Sequence, residues 1–188
     1  MTTLYLVRHG ETFDNVRQVL QGQMPGELNE TGIKQAEKVR DEMKDVHLDA
    51  IIASDLRRSV QTASIIAEPH GGEYELEPLL RERDFGIHTG GPYIKISHSL
   101  DPSAETMEQL AQRAADFLNK LTPAPSQEEA TILAISHGLF LRVLQAVYHG
   151  VNVRAVEKME NAEFRILPLS ADMHFEPILV EETGGTAN

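Results

Sequence analysis

Thr3–Val7 is a short apolar run rich in strand formers, and it breaks off at Arg8, His9 and Gly10. A run of that length with so abrupt an end reads as a buried strand that delivers its last residue to a loop. Two further runs behave alike: Ala50–Ala53 stops at Ser54 and Asp55, and Thr131–Ile135 stops at Ser136, His137 and Gly138. Between these runs the apolar positions adopt helical spacing. Asn29, Glu30, Thr31 and Gly32 carry helix-start signals ahead of Ile33, Ala36, Val39 and Met43. Ser54 or Asp55 is placed to cap a second helix with Val60, Ala63, Ile66 and Ala67 on its inner face, ended by Pro69, Gly71 and Gly72. The clearest stripe is Met107, Leu110, Ala111, Ala114, Phe117, Leu118 and Leu121, at i, i+3, i+4 intervals. A last helix carries Leu139, Val143, Leu144 and Val147, with Gly150 as its stop.

Two late strands are expected over 164–169 and 173–180 around a turn at Ser170–Asp172, with Pro168 marking an edge. Strands alternating with helices predict an α/β fold: a largely parallel central sheet with helices on both faces. No repeat and no second core interrupts residues 1–188, so a single domain is expected, with 181–188 as a frayed tail. Residues 122–130 read as a surface connection, and 83–104 as an aperiodic stretch long enough to be a functional loop.

Composition narrows the chemistry. Lys and Arg number 17 against 29 Asp and Glu, a net charge of −12, which argues against non-specific binding to nucleic acid or anionic membranes. With no cysteine there is no disulfide, thiolate metal site or cysteine nucleophile, which fits a reducing cytoplasm. The N-terminus lacks a signal-peptide pattern, and no apolar run approaches the roughly 20 residues of a membrane span. A soluble, cytoplasmic chain is expected.

If the three strands are parallel, their carboxyl ends bring His9, His137, Arg8 and the Arg57–Arg58 pair to one edge of the sheet, where open α/β sheets bind ligands. The helices that start there would aim N–H groups and positive dipole ends at the same place. Such a site suits phosphate, and arginine grips phosphate oxygens better than lysine does. The other histidines (His47, His70, His88, His98, His149 and His174) lack metal-ligand spacing, so no metal is expected; nor is a nucleotide loop or serine-hydrolase elbow present.

LVRHGET (Leu6–Thr12) resembles the signature of the histidine phosphatase superfamily, in its phosphoglycerate mutase-like branch. The resemblance extends through Asn15, Gln21 and Gly22, the stretch Leu28–Gly32, and Ser54–Ala63, which resembles S-x-L-x-R-x-x-Q-T-A and selects Arg58 over Arg57. It continues through Leu80–Gly86, Glu105 and Thr106 with Arg113, and Ser136-His137-Gly138. Two departures, His88-Thr89-Gly90 and Ser103-Ala104, fall where the leaving-group side is shaped.

The resemblance implies a phosphatase that needs no cofactor and acts on a small phosphorylated substrate. His9 would be the nucleophile and Glu82 the general acid and base. Arg8, Arg58, His137 and Asn15 would bind phosphate, and Gln21 and Gly22 the substrate. Arg8 and Arg58, with His137 as a third cation when protonated, would keep His9 neutral and hold the phosphoryl oxygens. The alternatives are a phosphoglycerate mutase, a protein phosphohistidine phosphatase and a non-catalytic phospholigand-binding module. Only 55 positions separate Glu82 from His137, and they must hold the long helix; the small cover favours water as acceptor. Oligomeric state is left open.

Overall fold

The computed structural model describes residues 1–93, 101–124 and 129–177. Its strands are β1 (Thr2–Arg8), β2 (Ala50–Ala53), β3 (Glu75–Leu76), β4 (Ala130–Ser136) and β5 (Phe164–Leu169), in one sheet ordered β3-β2-β4-β1-β5. The first four run parallel, and β5 returns antiparallel along the β1 edge. Pro168 therefore lies on an edge strand, where its missing N–H costs no ladder bond.

Period-two alternation divides the core. Leu4, Leu6 and Ala134 point to one face, and Val7, Leu133 and Ile135 to the other. Helices α2 (Glu30–Met43) and α3 (Arg57–Ala67) cover the second face; α4 (Met107–Leu121) and α5 (Gly138–His149) cover the first. A single helical turn, α1 (Phe13–Val16), follows β1. The α4 stripe is buried from Met107 through Leu118, and Gly150 ends α5 in the left-handed conformation at φ 62°.

Three expectations change. Neither Ser54 nor Asp55 caps α3: its N-cap is Leu56, which has no side-chain bond to offer. Both side chains are engaged elsewhere, Asp55 in a bidentate pair with Arg81 and Ser54 with His137. Residues 173–177 form no strand, because Asn119 satisfies the Phe175 backbone on both sides at 2.9 Å in place of a ladder. Strand β3 is an addition: two exposed residues without a hydrophobic run to announce them. The remainder of the expected second late strand (178–180), the tail, His98 and the middle of the 83–104 stretch lie outside the described residues.

Candidate active site

The three strand ends are stitched side by side. The His9 N–H donates to Ser136 O and the Ser54 N–H to Ile135 O, both at 3.0 Å. His9 is 3% exposed, and its ring lies 5.2 Å from the His137 ring, centroid to centroid. His9 Nδ1 lies 2.7 Å from Gly10 O. A carbonyl oxygen only accepts, so Nδ1 carries the proton and Nε2 keeps its lone pair. Burial first, then the Arg58 and Arg8 guanidinium groups, hold the His9 pKa well below the usual imidazole range, so the ring is neutral near pH 7.

Arg58, 1% exposed, is the hub of the cluster. Its Nε donates to His137 Nδ1 at 3.1 Å, one terminal nitrogen donates to Met24 O and Pro25 O, and the other to Gly22 O at 2.8 Å. Burial pushes its pKa down to about 10, which leaves it fully charged at neutral pH. Arg57 instead makes a surface pair with Glu27.

His137 is fully buried. Because its Nδ1 accepts from Arg58, its proton sits on Nε2, which donates to Ser54 Oγ at 2.8 Å. Burial and the charges of Arg58 and Arg113 hold its pKa well below the usual value. The expectation of a third, protonated cation is corrected: desolvation outweighs any benefit of charging this ring. Arg8 donates from one terminal nitrogen to Met159 O at 2.6 Å, while its Nε is buried without a partner. Glu11 is held by Asn29.

Glu82 lies at the start of α5. Its Oε1 accepts from Arg83 N and Phe140 N at 2.9 and 3.0 Å, and its Oε2 accepts from Leu139 N at 3.2 Å. The anion expected at that helix N-terminus is therefore the protein's own carboxylate. The α3 end is also partly occupied, since the Arg58 N–H donates to Pro25 O. Side chains, more than helix ends, are what this cradle offers a ligand.

Asn15 closes a capping box with Thr12: its Oδ1 accepts from Thr12 N at 3.0 Å. Asn161 Nδ2 lies 3.4 Å from the same oxygen and donates to His9 O at 3.0 Å. Gln21 is 7% exposed and its Oε1 has no partner; Gly22, at φ 51°, turns its carbonyl to Arg58. Behind the cradle, Thr62 accepts from Gly10 N and donates to Arg58 O, tying the β1 end to α3.

Sequence reasoning assigned no part in the site to Met159, Asn161, the Gly10 carbonyl or Ser59, whose Oγ lies 3.3 Å from His137 Nε2. Met159 and Asn161 come from an aperiodic stretch just before β5, and adjacency to the last strand was their only signal. Among the described residues no group of three or more histidine, aspartate or glutamate side chains is gathered as a metal would require. Nor is any helix among them long and apolar enough to cross a membrane.

Residues 4–174 match the family described as histidine phosphatase superfamily (branch 1). A probable phosphoglycerate mutase GpmB of Erwinia tasmaniensis is 33% identical over 174 residues, covering 85% of this chain and 80% of that protein. Among solved structures, the mycobacterial glucosyl-3-phosphoglycerate phosphatase in complex with VO3 is 26% identical with a TM-score of 0.79, covering 88% of this chain and 92% of that one. The phosphoserine phosphatase of Entamoeba histolytica, in complex with 3-phosphoglyceric acid, is 26% identical with a TM-score of 0.76, covering 88% and 90%.

Proposed function

The chain belongs to the histidine phosphatase superfamily, branch 1, and from that membership and the geometry of its site we propose that it hydrolyses phosphomonoesters of small metabolites through a phosphohistidine on His9. The observation that carries this reading is the His9 ring: neutral, fixed by Gly10 O, with its Nε2 lone pair free beside two guanidinium groups. In the first step Nε2 attacks phosphorus in line; the P–N bond forms as the ester P–O bond breaks. Arg8 and Arg58 hold the charge on the non-bridging oxygens, and the Asn15 amide N–H groups add a neutral donor.

Glu82, protonated, gives its proton to the departing alkoxide. Its Oε2 accepts only one backbone N–H, which leaves a lone pair where that proton can ride. As a carboxylate it then takes a proton from the water that attacks phosphohistidine, releasing inorganic phosphate and restoring both groups. Gln21 and Gly22 border the substrate. His137, whose Nδ1 accepts from Arg58 Nε, serves the phosphoryl group by holding that guanidinium in place. No step needs a metal, and the cysteine-free, acidic chain suits the cytoplasm.

A mutase is the second reading, favoured by the name of the 33% identical relative. With 3-phosphoglycerate as substrate, release of inorganic phosphate marks the phosphatase, and positional exchange without release marks the mutase. Phosphoserine and glucosyl-3-phosphoglycerate belong in the same screen. The decisive variant is His9→Ala. It should abolish turnover with circular dichroism unchanged, and labelled substrate should leave acid-labile, alkali-stable phosphate on the wild type alone. Normal turnover by the variant would overturn the nucleophile assignment.

A further inference from the structure

The proton donor of the proposed reaction sits on backbone with no regular structure: after the turn at Pro78–Leu80, residues 81–85 belong to no helix or strand. A general acid must nevertheless be held closely, since a displacement of about 1 Å can cost on the order of 10²-fold in rate. Outside help comes from α4. Arg113 donates from one terminal nitrogen to Leu79 O and Arg81 O at 2.7 and 2.9 Å, and from the other to Glu82 O at 3.3 Å. Its Nε and second terminal nitrogen also pair with the two Glu105 carboxylate oxygens at 2.7 and 2.9 Å. All three nitrogens are thus engaged, and both side chains of the pair are largely buried, at 19% and 13% exposure.

A second contact runs through α5. The Arg113 guanidinium lies 4.9 Å from the Phe140 ring centroid, and Phe140 N is the group that donates to Glu82 Oε1. One cation therefore supports the Glu82 backbone directly and its carboxylate through the neighbouring helix. Glu105 also receives the Asp84 N–H at 3.2 Å, which ties down the residues just beyond.

We propose that Arg113, fixed by Glu105, is a positioning residue for the proton donor Glu82. This rests on the reading of Glu82 as the acid. The hydrogen bonds of Arg113 serve the leaving-group half of the reaction; the phosphoryl cradle of His9, Arg8 and Arg58 is built from other strands and helices. Loss of the clamp should therefore hurt esters that need a proton on departure and spare those that do not.

The test measures single-turnover rates of Arg113→Met, Arg113→Lys, Glu105→Gln and Glu82→Gln on an alkyl phosphate and on p-nitrophenyl phosphate, with inorganic vanadate affinity alongside. Glu82→Gln should slow the alkyl ester by about 10²–10⁴-fold and the aryl ester far less. Arg113→Met should slow the alkyl ester by about 10–100-fold and the aryl ester by about threefold or less, with vanadate affinity kept. Arg113→Lys and Glu105→Gln should show the same selectivity in weaker form. Combining Glu82→Gln with Arg113→Met should add no more than about threefold, because the clamp has nothing left to position. If Glu82→Gln is selective and the clamp variants slow both esters equally, or weaken vanadate, the positioning role is overturned while the acid reading survives. If Glu82→Gln itself slows both esters equally, the acid reading falls and the clamp proposal with it. Unfolding of all three clamp variants would make Arg113 a general structural element and overturn the proposal as well.

Discussion

A guanidinium has five N–H donors, and Arg58 commits four of them inside the protein, to His137, Met24, Pro25 and Gly22. One remains for a phosphoryl oxygen unless the His137 bond is released. Arg58 is therefore scaffold and ligand together, and its planar fork is what lets one side chain span the 22–25 backbone and a histidine. Lysine has three donors on one nitrogen and cannot span them. Arg58→Lys should weaken inorganic phosphate or vanadate binding by about 10–100-fold, the worth of one charge-assisted hydrogen bond. It should also lower the thermal midpoint, since buried carbonyls left without donors cost about 1–3 kcal/mol each. Titration and thermal unfolding of the same preparation check both, and wild-type values in both would refute this account. At this scale the kinds of residue in the cradle were legible, because three strand-to-helix junctions of the same kind all carry His or Arg. The protonation state of His137 was not: the ring is neutral because it is buried, and burial is a property of the folded chain.

Elements meet where side chains are missing. A Cβ on Gly32, in the first turn of α2, would lie 2.0 Å from Glu11 O, and one on Gly10 would lie 2.4 Å from Gly32 O. Two backbones touch there, which sets α2 against the loop that carries His9. Neither side can yield as a flexible side chain would, so Gly32→Ala should cost about 1–3 kcal/mol or more through overpacking. It should lower turnover as well, because the strain falls two residues from His9. Urea unfolding with an unchanged midpoint would show that this approach is looser than described. The elements themselves were largely legible. Abrupt apolar runs marked β1, β2 and β4, and the stripe from Met107 to Leu121 marked α4 with the observed bounds. The failures have local causes. Ser54 looked like a cap because serine at a strand-to-helix junction usually is one, yet a buried histidine took its hydroxyl. Strand β3 is two residues long and exposed, so no burial pattern was available to reveal it.

The whole molecule carries two neutral, buried histidines within an acidic chain, and that couples its stability to pH. In the unfolded chain both rings take up protons near the ordinary imidazole value of about 6.5. In the folded chain burial and Arg58 keep both neutral well below that. Below about pH 6.5 the unfolded state therefore binds more protons than the folded state, and stability rises with pH through this window. Lowering the pH removes stability at up to about 1.4 kcal/mol per unit for each ring, until the folded rings themselves titrate. The carboxylates act lower down. Asp55, depressed by its hydrogen bonds to Arg81, keeps its stabilising charge until the pH falls through the carboxylate range near 4 and below. Denaturant unfolding between pH 7 and 5.5 isolates the histidines, and the free energy should fall with a slope approaching two protons. His137→Gln should remove about one proton from that slope, because the substituted amide has nothing to titrate. A stability that stays flat across the window, or a slope that His137→Gln leaves unchanged, would mean that this ring is charged in the folded protein and is not held neutral by Arg58.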